Sequence, residues 1–123
     1  FYFNYNTFIL WIHIKLLIMW TTDTTYKTEQ RKGMPMYTGV LKYFPNAMKY
    51  VSMVSKSGND QHHPDKPLHW DKSKSFDHED ALVRHLIDHS HNPVDDDGML
   101  HLGKVAWRAL AALETYLDGK DNK

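Results

Sequence analysis

Residues 99–117, MLHLGKVAWRALAALETYL, decide the fold class. Leu102, Val105, Ala106, Ala109, Leu113, Tyr116 and Leu117 recur at intervals of three and four, which sets them along one face of an α-helix. His101, Lys104 and Arg108 line up beside that apolar stripe. The preceding run DDDG (95–98) reads as a turn that also caps the helix.

Working outward, SFDHEDALVRHLIDHS (75–90) has the same period. Ser75 or Asp77 supplies the cap, Leu82, Val83, Leu86 and Ile87 the expected buried stripe, and Asn92–Pro93 the stop. Pro45 suits the first turn of an earlier helix, because its missing N–H costs nothing there. Ala47, Met48, Val51 and Val54 continue that helix, and Gly58 with Asn59 reads as its end. A shorter helix through Val40, Leu41 and Phe44 precedes it. Strand alternation and internal repeats are absent from the sequence. The expected fold is therefore all-α, a small bundle of three to four helices. Between the helices lies a long loop, DQHHPDKPLHWD (60–71) and its extension to Lys74, where Pro64 and Pro67 forbid regular structure.

The chain has 123 residues, enough for one domain at most. Fifteen basic and fifteen acidic side chains cancel, which argues against a general nucleic-acid binder. With no cysteine, neither a disulfide nor a thiolate metal site can form. Eight of the nine histidines lie between His62 and His101, together with most of the carboxylates, so any chemistry is concentrated there.

Residues 1–18, FYFNYNTFILWIHIKLLI, read as a segment foreign to the domain. They carry AT-rich-codon residue types, and the expectation is upstream translation or disorder, with Met19 as the natural start. The apolar run Phe8–Trp20 spans 13 residues and contains His13 and Lys15, short of the roughly 20 needed to cross a bilayer. An interfacial anchor is the competing reading. Residues 19–36, Thr-rich with Gly33 and Pro35, are expected to form an extended arm. Residues 37–118 would be the single helical domain and 119–123 a tail.

Helical registers place Asp77, Asp80, Arg84 and Asp88 on one face, with His85 and His89 on a neighbouring one. If the last two helices pack antiparallel, carboxylates, histidines and cations meet at one rim. That composition suits a divalent ion beside phosphate oxygens. Each feature also has a plain structural reading. Asp80 and Arg84 suit a surface ion pair, and His101, Lys104 and Arg108 the solvated side of a helix. Trp70 and Trp107 suit packing, and Asp95–Asp97 a capped turn. The group His62, His63 and His69 lacks zinc spacing.

The stretches GNDQHHPDKPLHWDKSKSFDHEDALVRHL (58–86) and DDDGMLHLGKVAWRALAALE (95–114), with RKGMPMYTGVLKYFPNAM (31–48) ahead of them, carry a family resemblance. They resemble a family of phage and prophage proteins named for a dATP/dGTP diphosphohydrolase N-terminal domain, over about residues 31–117. The resemblance implies cleavage of purine deoxynucleoside triphosphates to monophosphate and pyrophosphate, in phage nucleotide metabolism within the bacterial cytoplasm. Such reactions are typical of all-α MazG-type pyrophosphohydrolases, which hold Mg²⁺ with an E-x-x-E pair and a later E-x-x-D. The nearest equivalent here is Asp77-x-x-Asp80.

On that resemblance, Asp77, Asp80 and Asp97 are the expected ligands for Mg²⁺ or Mn²⁺. Arg84, Lys104 and Arg108 would bind phosphate, and His85 or His101 would act as general base or orient water. The loop becomes an ordered cover over the rim, with His62, His69 and Trp70 contacting base or sugar. The expected partner is a purine nucleotide, with no nucleic acid and no membrane. A unit this small can also complete its site across a homo-oligomer interface. The alternative reading is a nucleotide-binding accessory without turnover, or a structural phage protein whose polar residues fix the bundle.

Overall fold

A computed structural model describes residues 5–21 and 28–121. Among them the chain is all-α: α1 (Tyr5–Thr21), α2 (Thr28–Lys32), a π-helical turn (Tyr37–Leu41), α3 (Pro45–His62), α4 (His78–His91) and α5 (His101–Asp121). The only pairing of strand type among these residues is an isolated bridge between Val94 and Leu100. The chain divides into two compact units, Phe1–Tyr43 and Phe44–Lys123.

In the first unit, α1 is apolar all round, with Phe8, Ile9, Leu10 and Trp11 exposed on successive sides. It therefore lacks the single apolar stripe of an interfacial helix. No helix of the described residues is long and apolar enough to cross a membrane. Of the expected extended arm, residues 19–21 belong to α1 and Thr28–Lys32 form α2, closed by Gly33 N–H donating to the Gln30 carbonyl at 3.1 Å, while residues 33–35 are turn and irregular backbone. Residues 22–27 of that arm lie outside the described residues.

The second unit is a three-helix arrangement with α5 at its centre. α4 and α5 run antiparallel, His85 meeting His101 and His78 meeting Arg108. α3 lies parallel to α5, with Tyr50 against Leu100 and Ser55 against Trp107. Their closest approach is at Gly103, which is buried; a Cβ there would stand 2.5 Å from the Tyr50 ring. Ala81 and Ala111, 0% and 3% exposed, provide the close packing between α4 and α5.

Three sequence expectations differ from the fold. Gly58 and Asn59 do not stop α3, which continues to His62. Gly58 takes an ordinary helical conformation, and Asn59 turns its amide to the following loop instead of to its own helix end. The expected apolar stripes are not the buried ones. On α4, Val83, Leu86 and Ile87 are about half exposed (51%, 48% and 55%), and on α5 so are Leu102 and Leu113. His78, Ala81 and His85 face inward instead, against His101, Lys104, Arg108 and Ala111. Polar side chains are tolerated inside when they find partners: His85 meets His101 and His78 Nδ1 meets Arg108 across the two helices. The end of α5 also runs past the expected boundary at Leu117, to Asp121, into the residues expected to be tail.

Candidate functional site

The turn before α5 fixes the site. Gly98, at φ 81°, lets the chain reverse, with Gly98 N–H donating to the Asp95 carbonyl and Asp95 N–H to the Met99 carbonyl. This brings the Asp95 side chain over the start of α5, beside His101. His85 approaches from α4, and its Nδ1 lies 3.1 Å from His101 Nδ1. Asp95 Oδ2 lies 3.9 Å from each of those nitrogens. His101 is 5% exposed.

These three residues form the one group among the described residues whose ligand atoms converge as a metal site requires. A triangle with sides of 3.1, 3.9 and 3.9 Å has a centre about 2.1 Å from each corner, the bond length that imidazole nitrogen and carboxylate oxygen take to divalent ions. The donor set therefore fits a metal ion, both in distance and in chemistry. Burial and the nearby Lys104 charge hold the His85 imidazole below its ordinary proton affinity, against the opposing pull of Asp95. A neutral imidazole keeps a ring-nitrogen lone pair with which it can ligate a cation.

Lys104 is the cation on this cluster. Its ammonium donates to Asp95 Oδ2 at 2.5 Å and to Asp97 Oδ2 at 2.7 Å. The Lys104 hydrogen bond is the main cause holding the Asp95 carboxyl below the usual range. Burial works to raise Asp97, yet hydrogen bonds from Lys104, Met99 N–H and Gln61 bring it down. Lys104 is raised, its two carboxylates outweighing the effect of burial.

Beside the cluster opens a cleft of about 730 Å³, within the size range of small-ligand sites. It is lined by His62 of α3, His85 of α4, Lys104 and Arg108 of α5, Asp97 of the turn before α5, and His69 and Trp70 of the loop. The loop is held in place by specific bonds. Asn59, 5% exposed, accepts from His69 N–H and donates to the Lys66 carbonyl, both at 3.2 Å. Trp70 stands edge-on to Trp107, 5.4 Å between ring centroids, and Trp107 Nε1 donates to Ser55 Oγ at 3.0 Å. Lys72 reaches Asp118 at 2.6 Å. The loop packs on α3 and α5, and through Trp70 on His78 of α4.

Arg108 projects into the cleft between Ser75 Oγ (3.0 Å) and His78 Nδ1 (3.1 Å). The other ring nitrogen of His78, Nε2, faces away from Arg108. That atom is buried without a partner.

The structure thus brings together His62, His69, Trp70, His85, Asp97, Lys104 and Arg108, with His101 directly behind His85. It leaves Asp77, Asp80 and Arg84 outside the cleft. Asp77 is the N-cap residue of α4 and accepts from Ser75 Oγ at 3.0 Å; that bond, with Arg108 and Arg84 at longer range, lowers its carboxyl against a smaller opposing effect of burial. Asp80 and Arg84 are exposed on α4, and no ion pair joins them among the described residues. Sequence reasoning passed over Asp95, His78 and Asn59 as site residues. Asp95 was legible only as one of three consecutive aspartates.

No curated protein and no solved structure is significantly similar to the chain. A family model does match, over residues 24–123, a span that contains the whole cleft, its loop and the His85–Asp95–His101 group. The chain belongs to the dATP/dGTP diphosphohydrolase, N-terminal, family.

Proposed function

We propose that the cleft binds a purine deoxynucleoside triphosphate and hydrolyses it to the monophosphate and pyrophosphate, with a divalent cation held by His85, Asp95 and His101. The observation that carries this reading is a cation-binding donor set beside the cleft, with its member His85 lining the cleft together with Lys104 and Arg108. Phosphoryl chemistry requires that pairing of metal and cationic side chains.

The cation, when bound, neutralises phosphate charge and makes water a better nucleophile. The remaining work falls to the chain. Lys104 and Arg108 hold phosphate oxygens, and Lys74, also on the cleft wall, adds a third cation. Trp70, His69 and His62 also line the cleft and would contact the base and sugar. His85, kept neutral by burial, has a free lone pair for ligation. Asp97 accepts a hydrogen bond from Lys104 at 2.7 Å. The donor set is two imidazoles and one carboxylate, a mixture that suits Mn²⁺ better than Mg²⁺, which prefers all-oxygen sites. By its resemblance to phage and prophage proteins, the chain would act in phage nucleotide metabolism in a bacterial cytoplasm.

A second reading has its own observation: the matching family model is named for an N-terminal region. On that reading the domain binds nucleotide, and another region performs the hydrolysis. Incubating the full chain with each dNTP and NTP plus Mn²⁺ or Mg²⁺, with products separated by ion exchange, distinguishes the two. Conversion of dATP or dGTP to monophosphate supports the first. Saturable binding without consumption under any metal supports the second.

A further inference from the structure

Asp95 Oδ2 is claimed twice. It faces Nδ1 of His85 and of His101, and it accepts from the Lys104 ammonium at 2.5 Å. A divalent ion at the centre of the His–Asp–His triangle and an ammonium on the same oxygen repel each other strongly in a half-buried setting. Both cannot hold it at full strength.

Lys104 is the member that can leave. Its flexible stem already lines the cleft. The carboxylates it neutralises keep other donors without it: Asp97 accepts from Met99 N–H at 3.0 Å and Gln61 Nε2 at 3.3 Å, and Asp95 from Asp96 N–H at 2.7 Å. The two histidines are helix-borne and one is buried, so they have no such freedom.

We infer that Lys104 is a built-in placeholder for the metal: a divalent ion bound by His85, Asp95 and His101 displaces its ammonium from Asp95, and the freed ammonium turns into the cleft to meet phosphate oxygens. Metal binding thereby supplies a phosphate ligand as well as a charge. By linkage, phosphate binding strengthens metal binding by the same factor. This rests on the proposed role of the His–Asp–His group in holding a cation, and adds the identity of the group that couples cation to substrate.

Calorimetric titration of the full chain with Mn²⁺ alone tests it. The Lys104→Met variant should bind Mn²⁺ at least tenfold more tightly than the parent, about 1.4 kcal/mol at 25 °C, and Asp95→Asn should lose the site. Equal or weaker binding by Lys104→Met overturns the inference, as does Asp95→Asn binding like the parent. Because Lys104→Met leaves two carboxylates without their cation, a second measurement uses the unaltered chain. Acylation with an amine-reactive reagent, read by mass spectrometry, should label Lys104 several-fold more when Mn²⁺ saturates the protein, with Lys56 unchanged. Unchanged or reduced labelling, or no Mn²⁺ binding at all, overturns it. Neither readout needs turnover. If both come out as expected while dGTP is not consumed, the coupling stands and the hydrolytic reading falls.

Discussion

Replacing Gly103 by alanine tests the packing that presents the site. The added Cβ would meet Tyr50 Cδ1 and Cε1 at 2.5 and 2.6 Å and Val54 Cγ2 at 3.1 Å, against the 3.5–4.0 Å of an ordinary carbon contact. The ring cannot simply swing aside, because the Tyr50 hydroxyl accepts from Leu100 N–H at 2.8 Å. Relief requires α3 and α5 to separate by up to about 1 Å, which puts the cost near the upper end of overpacking, about 3 kcal/mol. Alanine returns about 1 kcal/mol of helix propensity. The net expectation is a loss of about 2 kcal/mol, or roughly 10 °C in melting temperature for a unit of this size. Gly58 is the matched control. It is also helical, but nothing lies within 4 Å of its Cβ position, so Gly58→Ala should stabilise by about 1 kcal/mol. Both are read by thermal unfolding followed by circular dichroism. A Gly103→Ala variant that melts at or above the parent refutes the close crossing of α3 and α5. A destabilised Gly58→Ala refutes the continuation of α3 through that residue.

Other expectations concern the loop, the histidine pair and the cationic wall. Asn59→Ala removes both hydrogen bonds that pin the loop, so it should cost about 2 kcal/mol and speed tryptic cleavage at Lys72 and Lys74; unchanged cleavage would refute the anchoring role. His85, depressed from 6.5 in the folded state, resists a proton that the unfolded chain accepts. Stability should therefore fall as pH drops below about 6.5, by up to about 1.4 kcal/mol per unit until the folded value is reached. The His85→Gln variant should lose that component of the slope, and an identical slope in both proteins would contradict it. Arg108→Gln should raise the KM for dGTP at least tenfold; an unchanged KM would remove Arg108 from phosphate binding.

The fold class was legible because the 3.6-residue period of 99–117 survives any choice of face. The buried side was not. On α5 the stripe His101, Lys104, Arg108 has the same period as Leu102, Val105, Ala109, and hydropathy alone selects the second. The structure buries the first because its members find partners far off in sequence: His85, sixteen residues away, and His78, thirty away. No local window contains that information. Asn59 misled for a related reason. After glycine, asparagine signals a helix end, and only the position of Lys66 and His69 in space gives its amide a different use. The HHPDKPLHW stretch was undecided by composition; only the family resemblance suggested an ordered cover, and the fold lines the cleft with its His62, His69 and Trp70. Among Asp95, Asp96 and Asp97 the resemblance singled out Asp97 as the metal ligand; the glycine-permitted reversal at Gly98 points Asp95 toward the histidines instead.

The most direct measurement of the central claim compares the unaltered chain with Asp95→Asn for conversion of dGTP in the presence of Mn²⁺, followed by phosphorus NMR. The account predicts dGMP and pyrophosphate from the unaltered chain, and at least a hundredfold slower conversion by a variant that still melts cooperatively. Equal rates in the two proteins, or release of inorganic phosphate with dGDP in place of pyrophosphate with dGMP, would contradict it.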